Sequence, residues 1–207
     1  MPSPCASGTL NTYVGLGVAG CTEGNLLFSD FTFGASAAGA GAILPVDSGI
    51  SVTPESSGNN VGFIFDAALS PGSNQSQDVT IDYVVRVLSG GNNITDSALS
   101  VEASGNASAN MTECLGGLLP ACSGGTAVGL MANANQLAVS NTFGAVSTVG
   151  AGLDISATNG GSISGEQTQF STGTDDNFVP EPASLMLFGT GALGLALLLR
   201  KKLRLPV

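Results

Sequence analysis

Hydrophobic and polar residues alternate along much of the first 170 positions, with the period of two that is typical of half-buried β-strands. The clearest stretch is DVTIDYVVRV at 78–87. One face of this predicted strand is hydrophobic and consists of Val79, Ile81, Tyr83, Val85 and Val87. The opposite face is polar and consists of Asp78, Thr80, Asp82 and Arg86. Helical periodicity is scarce in this part of the chain, which favours an all-β fold.

Similar alternation predicts further strands at 31–33, 61–65 and 149–155. Weaker patterns predict strands at 50–53, 98–103, 126–131, 136–140 and 161–170. Turn-forming runs such as SPGSNQSQ, SGGNNITD, CSGG and TNGG separate them. Short strands at this spacing, with no helices between them, indicate an antiparallel β-sandwich. We predict about eight strands in two sheets, in a jelly-roll-like order.

The last part of the chain has a different pattern. Residues 183–199 are uncharged and, as a helix, would extend about 25 Å, near the lower limit for crossing a bilayer. A core helix is the competing interpretation, but this segment lacks a polar outward face. We therefore predict a β-sandwich domain at 1–170, an acidic linker at 171–178 and a terminal segment at 179–207. The terminal segment contains a single transmembrane helix at 183–199 and a basic tail at 200–207.

Charge is distributed unevenly along the chain. Fourteen of the 15 acidic residues precede Val179, where Arg86 is the only cation, so this part has a net charge near −13. Such a surface repels phosphate backbones, so we expect no nucleic-acid partner. We expect Arg86 to pair with a neighbouring carboxylate across strands, and an anion site is the alternative.

The remaining cations form a cluster directly after the hydrophobic segment. It consists of Arg200, Lys201, Lys202 and Arg204. Basic residues that flank a membrane helix remain on the cytoplasmic side. The predicted topology therefore anchors the chain in the inner membrane with its acidic body in the periplasm.

The four cysteines, Cys5, Cys21, Cys114 and Cys122, allow three disulfide pairings. The simplest arrangement closes two local loops, Cys5–Cys21 and Cys114–Cys122. Free buried thiols are the alternative, whereas a zinc site would need closely spaced cysteines and usually histidine. Disulfides would place the protein in an oxidising compartment, in agreement with export.

Candidate catalytic chemistry is limited by composition. The chain has no histidine, and no lysine precedes residue 201, which excludes the common general bases and Schiff-base mechanisms. Carboxylate pairs for glycoside hydrolysis are available, but there is no tryptophan and only two tyrosines to stack on sugar rings. We expect neither catalytic activity nor a cofactor. Calcium binding stays open, because acidic side chains are plentiful, although no known calcium-loop spacing occurs.

The terminal segment carries a specific resemblance. Val179, Pro180, Glu181 and Pro182, followed by the glycine-containing hydrophobic span and the basic cluster, resemble the PEP-CTERM protein-sorting signal. This resemblance implies that exosortase, a membrane-embedded cysteine transpeptidase-like enzyme of Gram-negative bacteria, recognises the Pro-Glu-Pro triplet and removes the tail. It also implies delivery to the cell surface or the extracellular space, often together with exopolysaccharide.

The body is similar to acidobacterial PEP-CTERM proteins of unassigned function. The similar stretches are CASGTL at 5–10 and GCTEGNLLFSDF at 20–31, followed by a later cysteine pair. Family members normally begin with a secretory signal peptide, and residues 1–20 contain no basic region followed by an apolar run. We expect a start codon assigned too far downstream, and trimming of the leader is the alternative.

Two functional hypotheses follow from the sequence. The first is an exported, non-enzymatic protein of the cell surface or extracellular matrix. The second is a secreted β-sandwich module that binds glycan or calcium within an exopolysaccharide matrix.

Overall fold

The structure, a computed structural model, describes residues 2–173. Its helical elements are α1 (Leu10–Val14) and two single 3-10 turns, Gly17–Ala19 and Asp47–Gly49. The first six strands are β1 (Gly8–Thr9), β2 (Cys21–Glu23), β3 (Leu26–Ala38), β4 (Ser51–Ser57), β5 (Asn60–Asp66) and β6 (Ser76–Val87). The last six are β7 (Ile94–Ser104), β8 (Ala107–Leu115), β9 (Thr126–Asn133), β10 (Ala138–Val146), β11 (Thr148–Thr158) and β12 (Ser162–Thr172).

The strands form two six-stranded antiparallel sheets. Sheet I has the order β1-β4-β5-β12-β7-β10, and sheet II has the order β2-β3-β6-β11-β8-β9. Within them, β5 pairs with β12, β6 with β11, β7 with β10, and β8 with β9. This is one long hairpin whose successive strand pairs lie alternately in the two sheets, which is the jelly-roll arrangement. The predicted antiparallel sandwich with jelly-roll-like order is confirmed.

The core lies between the inward faces of the two sheets. The predicted hydrophobic face of β6 is buried from Val79 to Val85, and the inward residues of β5 and β11 are buried as predicted. Aromatic rings fill the centre. Tyr83 stacks on Phe31 of its own sheet at 5.2 Å between ring centroids, and it lies 6.0 Å from Phe65 of the opposite sheet.

The described residues form twelve strands where about eight were predicted, and the short strands β1 and β2 are among those that the sequence did not predict. Strand β8 was not predicted, because its inward positions include two alanines and Glu113, which weaken the alternating hydrophobic pattern. The helix α1 was also missed, since five residues are too few to show a helical period. Strand β12 continues to Thr172, so its last two residues fall within the segment predicted as linker.

Both disulfides join the cysteines that the simplest pairing predicted. Cys5 and Cys21 are linked, with Cα atoms 4.9 Å apart, and hold the N-terminal segment beside β2. Cys114 and Cys122 are linked, with Cα atoms 5.2 Å apart, and close the loop that follows β8. Among the described residues no cysteine is free.

Gly62 on β5 provides a test of how tightly sheet I packs. A Cβ atom at this position would collide with the backbone carbonyl of Thr168 on β12. We expect Gly62→Ala to destabilise the domain by about 1–3 kcal/mol in urea denaturation, because backbone atoms cannot move aside easily.

Gly144 on β10 is the matched control. A Cβ atom there meets nothing within 4 Å. Gly144→Ala should therefore leave stability unchanged or raise it by up to about 1 kcal/mol. Equal losses in the two variants would contradict the packing described for β5 and β12.

Candidate functional site

The sorting motif predicted at Val179, Pro180, Glu181 and Pro182 lies outside the described residues. The predicted membrane helix at 183–199 and the basic cluster also lie outside them. Within residues 2–173, no helix combines the length and the apolar character that a membrane crossing requires.

A groove of about 510 Å³ lies on the outer face of sheet I, across strands β12, β7 and β10. Strand register places its lining side chains in two rows. The first row contains Gln167, Ser100 and Ala138, and the second contains Gln169, Ala98 and Ser140. The alanine and serine side chains of β7 and β10 are short, while the glutamines of β12 are long, so the surface is concave.

Several hydrogen-bonding side chains lie among the apolar groups that line this groove. The Ser100 hydroxyl donates to Oε1 of Gln167 at 3.4 Å, and Gln136 lines the groove beyond β10. At one end Asp96 accepts hydrogen bonds from Thr142 and Ser171, each at 3.1 Å. Since no cation lines the groove and a carboxylate borders it, its chemistry suits a neutral, hydroxyl-rich ligand better than an anion.

Aromatic side chains are absent from the lining of the groove as the described residues form it. Both tyrosines of the chain lie in the core, with 2% of Tyr13 and 2% of Tyr83 exposed. The Tyr83 hydroxyl donates to Oγ1 of Thr168 at 2.8 Å, which links the two sheets. A sugar in the groove would therefore be held by hydrogen bonds without ring stacking.

Arg86 lies on sheet II, away from the groove. Its NH1 group donates to the hydroxyl of Ser29 at 3.0 Å and lies 3.5 Å from a carboxylate oxygen of Asp30. The Arg86 and Asp30 side chains are 38% and 32% exposed. The predicted cross-strand ion pair is confirmed, and at this exposure it contributes little to stability.

Two glutamates point into the core and are fully buried. Glu113 of β8 accepts a hydrogen bond from the Ser97 hydroxyl at 2.6 Å, and its Oε1 has no partner among the described residues. Glu166 of β12 lies beside Phe65, and neither carboxyl oxygen has a partner there. Such groups are costly to bury when ionised.

Burial raises the pKa of both groups. The pKa of Glu113 rises to about 7 through burial, with a contribution from Asp96, although the Ser97 hydrogen bond lowers it. The pKa of Glu166 rises to about 8 through burial, with a contribution from Asp66. Because the core seals both carboxyl groups from solvent, they cannot meet a substrate in this conformation.

Among residues 2–173, no three His, Cys, Asp or Glu side chains come together in a way that could hold a metal ion.

The sequence did not single out the groove or the buried glutamates. In GEQTQF at 165–170 both faces of the strand carry polar residues, so the alternation does not distinguish Gln167 and Gln169 outside from Glu166 and Thr168 inside. The sequence predicted only that a strand occurs at 161–170. The groove also requires the pairing of β12 with β7 and of β7 with β10, which local patterns do not reveal.

Comparison with known families locates the sorting signal. The model described as the PEP-CTERM protein-sorting motif matches residues 178–202. The match spans the predicted Pro-Glu-Pro motif, the hydrophobic span and the first three residues of the basic tail. It supports a PEP-CTERM protein and indicates that the chain is exported. None of the curated protein sequences matches this chain.

Solved structures resemble the chain weakly. TmCBM61, solved in complex with β-1,4-galactotriose, is 7% identical, with 66% of this chain and 86% of that chain covered and a TM-score of 0.36. A family 11 carbohydrate-binding module from Clostridium thermocellum is 9% identical, with 69% and 89% covered and a TM-score of 0.29. The glycosylation-associated Gap123 complex from Streptococcus agalactiae is 10% identical, with 58% and 22% covered and a TM-score of 0.28. At these values the likenesses do not identify a ligand.

The buried glutamates make stability depend on pH. Their folded-state pKa values, about 7 and about 8, lie above the ordinary value near 4.5, so folding favours the protonated forms. The contribution of these two groups to the free energy of unfolding is fully present below about pH 4.5. It is lost as the pH rises through their folded-state pKa values of about 7 and about 8. We expect a loss on the order of 3 kcal/mol for each group between pH 4.5 and 8, measured by urea denaturation.

Two substitutions distinguish the pH dependence caused by the buried glutamates from any pH dependence caused by exposed acidic residues. Glu166→Gln should flatten the pH dependence by about the amount assigned to Glu166, since the amide does not ionise. Glu102→Gln, at an exposed carboxylate on the same sheet, should leave the slope nearly unchanged. Parallel curves for wild type and Glu166→Gln would refute the assignment.

Proposed function

We propose that the chain is a non-catalytic protein of the bacterial cell surface or extracellular matrix, sorted by exosortase through its PEP-CTERM signal. The observation that carries this proposal is the match of the PEP-CTERM motif to residues 178–202. Before processing, the uncharged span at 183–199 holds the chain in the inner membrane. The basic tail then lies in the cytoplasm and the acidic body in the periplasm.

Two properties of the described residues support this proposal, the first for export and the second for processing. Both disulfides require an oxidising compartment to form and persist. The last strand ends at Thr172, six residues before the matched motif begins. Removal of the tail at the motif therefore leaves both sheets complete, so processing releases an intact domain.

We expect the exported protein to lack its tail in cells that contain exosortase and to retain it in cells that lack the enzyme. The measurement is intact mass of the protein from each strain. Pro180→Ala combined with Pro182→Ala should block processing, because the extended triplet is lost. Pro206→Ala, the same change outside the triplet, should be processed normally. An exported product that retains residues 185–207 in normal cells would overturn the proposal.

A second candidate function is glycan binding, and the groove of sheet I favours it. Its glutamine and serine side chains offer hydrogen bonds to a neutral sugar chain, such as one of an exopolysaccharide. For the calcium alternative, residues 2–173 bring no group of three or more acidic side chains together.

The groove can be tested directly with neutral glycans. If it binds one on a glycan array, Gln167→Ala combined with Gln169→Ala should weaken binding by roughly tenfold or more, since two amides are lost. Asn92→Ala, at an exposed amide in the loop between β6 and β7, should bind normally. Binding that is equal in all three proteins, or absent altogether, would remove glycan recognition by the groove.

A further inference from the structure

The two sides of the sandwich end in edge strands of very different length. On one side, sheet I ends in β1 with 2 residues and sheet II ends in β2 with 3 residues. On the other side, the sheets end in β10 with 9 residues and β9 with 8 residues. Short edges resist pairing with other chains, whereas long edges present a row of unpaired N–H and C=O groups. The β9–β10 side is therefore open to an additional strand.

The two edge strands on this side contain no charged residue. No acidic or basic residue occurs between Glu113 and Asp154, a stretch that contains the whole of β9 and β10. Charged residues and prolines on edge strands are the usual protection against pairing between molecules. Neither strand contains either kind of residue. The contrast with the rest of the body, which carries 14 acids, is large.

Of these two edges, β9 is the better template. Strand β10 has a shift in register between Thr142 and Val146, and such bulges interrupt an edge. Strand β9 pairs with β8 residue for residue from Thr126 to Asn133, without a shift. Its backbone is therefore regular along its full length. Met131, with 56% of its surface exposed, supplies an apolar side chain beside this edge.

We propose that β9 pairs antiparallel with β9 of a second copy of this chain, about a two-fold axis. The pairing continues sheet II through both molecules and satisfies the N–H and C=O groups on the free side of β9. The distribution of charge selects this edge for contact between two copies. Two bodies that each carry a net charge near −13 repel each other, and the repulsion is weakest where the uncharged β9 edge of one copy faces the uncharged β9 edge of the other.

Self-association of residues 1–174 tests this proposal. This part contains both sheets, both disulfides and the buried core described above, and it forms one compact unit. Sedimentation velocity over a range of concentrations should show a dimer of twice the monomer mass. Ala127→Lys combined with Met131→Lys should weaken dimerisation by roughly tenfold or more, because like charges meet across the paired strands.

The control is Ser57→Lys, at an exposed position of β4 on sheet I, and it should dimerise like the wild type. Each lysine lowers the net negative charge and so weakens general repulsion. If only the β9 variant loses the dimer, the loss is therefore caused by the change at the β9 edge and not by the change in net charge. Circular dichroism and thermal melting establish that each variant is folded.

Three outcomes would overturn the inference. They are a wild type that stays monomeric at every concentration, a dimer that the β9 substitutions leave unchanged, and a β9 edge that pairs only with a different protein. Glycan binding and tail processing are measured separately, so this result does not depend on the proposed function.

Discussion

The contact between the two sheets around Tyr83 is the interaction on which the rest of the structure depends. Its ring stacks on Phe31 within sheet II and lies 6.0 Å and 6.3 Å from Phe65 and Phe170 of sheet I. Its hydroxyl donates to Thr168 across the core. Because a buried hydroxyl needs a partner, this bond favours one alignment of the sheets over the alternatives that ring packing alone would allow.

This arrangement has a consequence for the surface. Both tyrosines and most of the described phenylalanines are used in the core, so the groove on the outer face of sheet I is lined mainly by alanine, serine and glutamine. A sandwich of this kind can offer hydrogen bonds over a broad area but little stacking. The core, in contrast, contains two buried glutamates. Its aromatic side chains cannot supply hydrogen bonds to all of their carboxyl oxygens.

The sequence predicted the fold class, the jelly-roll-like order, the disulfide pairing and the ion pair of Arg86. These features depend on local alternation, on loop length and on the scarcity of cations, all of which are visible in one chain. It did not predict β8 or the inward direction of Glu113 and Glu166, because hydrophobic alternation cannot orient a polar residue. The groove was also missed, since Ala98, Ala138 and Gln167 come together only through pairing between distant strands. The predicted sorting motif and membrane helix lie outside the described residues, and the family match supports the motif independently.

The position of β12 connects the fold to the sorting signal. This strand lies between β5 and β7, so sheet I lacks one of its central strands until Thr172 has joined it. Most contacts of β12 are with residues far away in the chain, and such pairings form late because they close long loops. Under the proposed processing, a signal placed beyond β12 leaves the domain free to complete sheet I before the tail is cut. A signal within the domain would interrupt the strand that joins β5 to β7, so the end of the chain is the place where processing and folding do not conflict.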